Sequence, residues 1–281
     1  MAFLELFDET LDINSTENYL LTMQVSADDL SYCLLDTIRN KYILLRSYDA
    51  EDNKYFTSEN LSAIISKDDF LNRKYHSIIM VHSSPKFTLV PAPLFDPAKK
   101  EEYFTLNHNP EENQVILTSK ITEPDTYIVY SLSRHIAEVT GRMFPSATSF
   151  HHTKPLLNQA LREAKHTSGN FVQVHISGEF FNLFIFDDGN LKFSNTFSYR
   201  NVSDILYYVL NTYKSLNINN ETPVHFSGMT EKHDDIYSAF AIYLKHIKFT
   251  IPSGNFTFSY VFGEVELQKY INLFTAVNCV S

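Results

Sequence analysis

Phe171-Val172-Gln173-Val174-His175-Ile176, Phe181-Asn182-Leu183-Phe184-Ile185-Phe186 and Leu191-Lys192-Phe193-Ser194-Asn195-Thr196-Phe197 follow one another with only four residues between successive runs. Short apolar, β-branched and aromatic runs bounded by turn formers read as strands. Asp187-Asp188-Gly189-Asn190 is a hairpin turn, because its residue types accept positive φ. A helix follows, with Ser203 as its cap and Ile205, Leu206, Val209, Leu210 and Tyr213 on one face. Beyond it the pattern predicts a strand over 223–226, a helix over 234–246 and a strand over 247–251.

The first half carries the same order. Strands are predicted over 20–26, 30–36 and 42–48, with Asp28-Asp29 and Arg39-Asn40 as turn pairs. Thr57-Ser58-Glu59 caps a helix bearing Leu61, Ile64, Ile65 and Phe70, and a strand over 77–81 follows. Further strands are expected over 87–90, 114–118 and 126–130, with helices over 94–104 and 133–143. The repeat predicts an α/β chain of two lobes, each a mixed sheet flanked by helices. The first lobe is expected over 1–152 and the second over 153–281, entered through a linking helix at 153–166.

Composition removes several function classes. The 281 residues include 7 glycines, where average usage of about 7% would give roughly 20. A chain so poor in glycine has few places where backbone can close on a phosphate. The net charge of −10 and the absence of a basic run argue against nucleic-acid binding. Cys33 and Cys279 have no neighbouring cysteine, so neither a disulfide framework nor a metal knuckle is expected, and Cys33 reads as a core thiol. The start of the chain lacks a positive signal-peptide region, and no apolar stretch approaches the ~18 residues of a membrane span. A cytoplasmic protein without direct membrane insertion is the expectation.

The duplicated pattern resembles the actin-like ATPase superfamily, whose members include sugar kinases, Hsp70, FtsA and PilM. More closely, the chain is similar to a bacterial family of uncharacterised proteins assigned that fold, which is ribonuclease H-like in each lobe. The residues that carry this likeness are Gln24-Val25-Ser26-Ala27-Asp28-Asp29-Leu30-Ser31-Tyr32-Cys33, the segment from Leu89 to Phe95, and the stretch from Gly189 to Gly228. In ATP-using members each lobe opens with a strand that ends in Asp-x-Gly, and a later glycine-rich turn holds the adenosine. The resemblance places Gln24 and Ser26 at the first such pair, His175 and Ser177 at the second, and Ser227-Gly228-Met229 at the adenosine turn. Both aspartates are then missing. The nucleotide-cleft candidates carried forward are Gln24, Ser26, Asp28, His175, Ser177, Gly178, Ser227 and Gly228.

Other chemistry finds less support. His151 and His152 are adjacent, so on a strand they would face opposite sides, and no helical His pair accompanies them; no metal site is expected. No Gly-x-Ser-x-Gly elbow is present. Tyr207 and Tyr208 fall on different sides of their helix, which leaves one for a surface. The sequence therefore points to a non-catalytic actin-like scaffold or adaptor, without cofactor, that binds a protein partner or itself. The alternative is a nucleotide-binding protein or slow ATPase that uses Mg-ATP, with Asp28 or Asp29 replacing the missing acid.

Overall fold

Both three-stranded sets form where the alternation predicts them, in a computed structural model that describes residues 3–50 and 55–280. In chain order the first part holds β1 (Leu4–Phe7), β2 (Tyr19–Val25), β3 (Asp29–Asp36), β4 (Lys41–Asp49), α1 (Ser58–Lys67), β5 (Ser77–His82) and β6 (Phe87–Pro91). Next come α2 (Lys100–Thr105), β7 (Gln114–Ile121), β8 (Thr126–Ser133), α3 (Arg134–Met143), β9 (Thr148–His151) and α4 (Thr153–Ala164). The remainder holds β10 (Asn170–Ile176), β11 (Phe180–Asp187), β12 (Asn190–Ser198), α5 (Val202–Ser215), β13 (Val224–Gly228), α6 (Asp235–Phe240), β14 (Ile247–Phe249), β15 (Thr257–Phe258) and α7 (Ile271–Thr275). No helix among the described residues is long and apolar enough to cross a membrane.

The chain divides into two units. The first takes the chain as far as Pro155 and regains it at Ser253–Val265 and from Asn272 onward; the second is Leu156–Pro252 with Glu266–Ile271. The expected division into 1–152 and 153–281 thus differs at the C-terminal end, where two segments return to the first unit. The physical reason is an aromatic cluster: Tyr42 lies against Phe256, Phe258 and Phe274, with ring centroids 5.0, 5.5 and 4.9 Å away, and its hydroxyl donates to the Phe274 carbonyl at 2.7 Å. Asp8, almost fully buried, accepts from Lys41 at 2.9 Å and from Ser259.

Each unit contains one sheet built in the same way. In the second the order is β12-β11-β10-β13-β14, antiparallel through the hairpins and parallel from β10 through β13 to β14. In the first, β4-β3-β2-β5-β9 repeats that order and those directions, with β1 and β15 added beside β4. A separate sheet, β6-β8-β7, closes its own small core of Val90, Phe104 and Val129. The second unit buries Val172, Val174, Phe181, Leu183 and Ile185 against Ile205, Val209 and Tyr213 of α5. The Asp187–Asn190 turn has φ +45° at Asp188 and +77° at Gly189, the double positive φ of a tight hairpin.

Three predicted elements differ. The helix expected over 234–246 stops at Phe240, because the chain turns there to return Leu244 to the core. The helix over 94–104 is broken at Pro97 into 3-10 turns, with only α2 helical. The cap of α5 is Asn201 rather than Ser203: its side chain accepts from the Asp204 amide at 3.1 Å, while the Asp204 carboxylate accepts from the Asn201 amide at 3.3 Å.

Two buried polar groups organise the first unit. Asp68 accepts from Tyr32 at 2.8 Å, Tyr48 at 2.5 Å, Arg46 at 2.9 Å and the amides of Phe70 and Leu71 at 2.8 and 3.0 Å. Burial alone would raise its pKa, but these donors together hold it below the usual carboxylate range. The second group is a histidine cluster at the ends of β5 and β9. His82 Nδ1 lies 3.1 Å from the Tyr130 hydroxyl, and His151 Nε2 lies 3.0 Å from the Ser84 carbonyl. The His151 and His152 rings lie 4.2 Å apart, both fully buried. The two rings therefore sit together rather than on opposite faces: β9 ends at His151, so strand alternation no longer governs His152. Burial pushes His82 down to about 4, and burial, with His152 beside it, holds His151 well below the usual imidazole range.

Two outcomes follow for stability. Asp68→Ala leaves Arg46 with only the exposed Glu5 carboxylate, 3.0 Å away, and takes the acceptor from the Tyr32 and Tyr48 hydroxyls; denaturant unfolding should show a loss of about 3 kcal/mol. Asp68 stabilises fully above about pH 4, the unfolded carboxylate range, and that contribution is lost as acid carries it through its lowered folded value. His82 acts in a higher window: unfolded, it takes a proton near pH 6.5, but folded only near 4. Stability should therefore fall between about pH 6.5 and 4, by on the order of 3 kcal/mol for this group. Unfolding curves across that range should show a shallower pH slope for His82→Gln.

Candidate functional site

The second-unit candidates are brought together by the register of two parallel strands. β10 sets His175 beside Ser227 and Ile176 beside Gly228 of β13. The Ser227 hydroxyl is held between His175 Nδ1 and Gln173 Nε2, each at 2.9 Å, and Thr250 donates to Gln173 Oε1 at 2.7 Å. All four side chains are buried. Gly228 has φ +82°, and a Cβ there would lie 1.9 Å from the Ile176 carbonyl oxygen, so only glycine fits. The following amides turn inward: Met229 N–H donates to Ile176 O at 2.9 Å and Thr230 N–H to Gly228 O at 2.8 Å. The Ser177 amide donates to the Phe180 carbonyl at 2.9 Å, and its own carbonyl accepts from Tyr199 at 2.7 Å. Gly178 lies exposed in this turn.

The first unit repeats the frame. Val25 stands opposite Leu30 and Gln24 opposite Ser31, as Ile176 stands opposite Phe181 and His175 opposite Asn182. The hydrogen bond from Ser26 N–H to the Asp29 carbonyl, 2.9 Å, matches the one from Ser177 to Phe180. Gln24 and His175, and likewise Ser26 and Ser177, are thus structural counterparts. The Ser26 hydroxyl donates to the Asp28 carboxylate at 2.7 Å and accepts from the Asp29 amide at 2.8 Å. Asp29 in turn takes the Ser31 hydroxyl on both oxygens, at 2.9 and 2.8 Å. Burial, with the nearby carboxylates of Asp28 and Asp49 adding to it, pushes Asp29 up to about 7. Gln24 Oε1 is buried and accepts no hydrogen bond among the described residues.

His82 is the residue that sequence reading missed. β5 pairs with β2 so that His82 stands beside Val25, the place that Gly228 takes beside Ile176. Where the second unit has a glycine turn, the first therefore carries an imidazole and the cluster around it. Counting from the strand repeat would have found the position, since 77–81 and 223–226 were already matched strands.

Among the described residues no group of three or more His, Cys, Asp or Glu side chains is arranged to hold a metal ion. The first unit has an open polar depression of about 550 Å³, bordered by Thr16, Lys67, Asp69 and Arg73 among others, and none of the candidate residues lines it.

Comparison with solved structures shows the fold. A Bacteroides thetaiotaomicron protein described as having an actin-like ATPase fold and unknown function superposes with a TM-score of 0.77 at 19% identity, covering 85% of this chain and 93% of that one. The PilM-PilN type IV pilus biogenesis complex gives 0.59 at 12% identity, over 93% of this chain and 98% of that one. The ethanolamine utilization protein EutJ of Carboxydothermus hydrogenoformans gives 0.51 at 10% identity, over 96% and 92%. The chain has the actin-like fold. A search among curated proteins returned no match. The family model described as "Protein of unknown function (DUF3822)" matches residues 8–247, most of the chain, and the chain belongs to that family.

Proposed function

We propose that this chain is a non-catalytic, cytoplasmic actin-like scaffold or adaptor that has kept the fold without its nucleotide chemistry. The observation that carries this reading is the internal use of both phosphate-type turns. Mg²⁺ needs anionic or strongly polar oxygen ligands. At the two strand ends stand a neutral amide, Gln24, and an imidazole, His175, that is already hydrogen-bonded to Ser227. A phosphoryl group approaching the Ser26 hydroxyl would have to displace the Asp28 carboxylate, and one at Gly228 would find the next two amides donating inward. These residues do not fit Mg-ATP.

The slow-ATPase alternative needs a replacement acid. Asp28 is committed to Ser26, and Asp29, with its pKa at about 7, is a carboxylate only part of the time at neutral pH. Neither makes a strong metal ligand. The PilM-PilN structure is a protein–protein complex on a similar frame, which is consistent with a binding role here.

Equilibrium titration with Mg-ATP, together with a phosphate-release assay, tests the reading. The expected result is no micromolar binding and no release above the protein-free rate. Micromolar affinity with turnover, lost in Ser177→Ala, would refute it. Gly228→Ala should act on the fold instead: the added methyl meets backbone, and unfolding experiments should show a loss of at least about 2 kcal/mol.

A further inference from the structure

The repeat can be followed residue by residue into the outer strands. The β3–β4 ladder skips one residue between Leu34 and Leu35, opposite Ile43. The β11–β12 ladder does the same between Ile185 and Phe186, opposite Lys192. Counted from that irregularity, Leu44, Leu45, Arg46 and Ser47 correspond to Phe193, Ser194, Asn195 and Thr196. In the first unit these four are covered by β1, which pairs Phe7 with Leu44, Leu6 with Leu45, Glu5 with Arg46 and Leu4 with Ser47. β15 lies along the start of the same strand. Among the described residues β12 pairs with β11 alone.

An open edge strand is ordinarily guarded by charge, proline or a bulge. From Phe193 to Ser198 the β11–β12 register is unbroken, and the stretch contains no charged residue and no proline. The covered edge in one unit and the open 193–198 edge in the other are the same position in the fold; the bulge and Lys192 lie before this stretch, and within it the Thr196 amide donates to the Asn195 side chain at 2.9 Å, a bond that a pairing strand would replace.

We infer that two copies of the chain pair through β12, antiparallel about a two-fold axis at Asn195, joining two five-stranded sheets into one. The sequence of the strand is complementary to itself in that register. Phe193 falls opposite Phe197 of the second copy, and both rings are already half-buried against the core of their unit. Ser194 falls opposite Thr196. Ser194 Oγ is buried with no hydrogen-bond partner, and the Thr196 hydroxyl, which accepts from Asn182 at 2.8 Å, still has a proton to donate. The cations Lys192, bonded to Asp187 of its own hairpin at 3.1 Å, and Arg200 both lie outside the 193–198 stretch, so no cation faces a cation within it. Asn195 meets itself as a neutral amide. The pairing is isologous and therefore closes at two copies. Next to the edge, Tyr208 stacks on Phe197 at 4.5 Å and touches Tyr207, whose ring is 64% exposed.

This gives the scaffold reading a surface, and its meaning as assembly rests on that reading. Sedimentation equilibrium of the full chain across the micromolar range tests it, with Asn195→Arg and Asn195→Glu as variants. Asn195 is exposed, so both should keep the wild-type circular dichroism spectrum and melting temperature. The wild type should sediment at twice the chain mass, and each variant alone at the mass of one chain. An equimolar mixture of the two should regain the doubled mass, because opposite charges then meet at the axis. A wild type that stays a single chain, one that grows beyond two copies, a variant that still doubles, or a mixture that stays single would each overturn the pairing. A monomeric wild type leaves the scaffold reading standing, whereas phosphate release from Mg-ATP refutes that reading and leaves the pairing in place.

Discussion

The close approach of Gly228 to the Ile176 carbonyl fixes the geometry of the second unit's strand ends. Parallel pairing of β10 with β13 puts the two residues level, and no side chain fits between them. That register also puts His175 beside Ser227, and Gln173 beneath completes a buried set whose polar atoms satisfy one another. A buried polar network is stable only when its members are paired. Here Ser227, His175, Gln173 and Thr250 pair with one another.

The first unit reaches the same frame by different means. Its strand order and its skipped residue repeat those of the second, but His82 replaces the glycine, and a histidine cluster fills the space beside it. Asp68 adds a second anchor, gathering two tyrosines and Arg46 from β3 and β4 onto the turn after α1. Added strands cover β4, while β12 remains an edge. The two halves therefore share a plan of main-chain pairing while their buried polar chemistry has diverged.

Much of the fold was legible in the sequence because it rests on local signals. Alternating apolar runs and the Asp-Asp-Gly-Asn hairpin gave the two meanders directly, and their repetition gave the architecture. What stayed hidden depends on distant partners. β1 and β9 are four residues each, too short for a period to show, and β15 is shorter still. The return of 253–265 to the first unit follows from contacts of Phe256 and Phe258 with Tyr42, more than 200 residues earlier in the chain. At the candidate site the resemblance pointed to Gln24, His175 and Gly228, and the strand register makes Gln24 and His175 counterparts. The sequence could not show that Ser227 is enclosed or that Asp28 turns back on Ser26, since side-chain direction at a strand end is set by the loop that follows.

Both turns are closed by their own hydrogen bonds, Met229 N–H to the Ile176 carbonyl and Asp29 N–H to the Ser26 hydroxyl. Amide hydrogen exchange at Met229 and Asp29, followed by NMR with and without Mg-ATP, measures this directly. Both amides should exchange slowly in the free protein and at the same rate when nucleotide is present. Fast exchange in the free protein, with protection appearing only on adding Mg-ATP, would contradict the account.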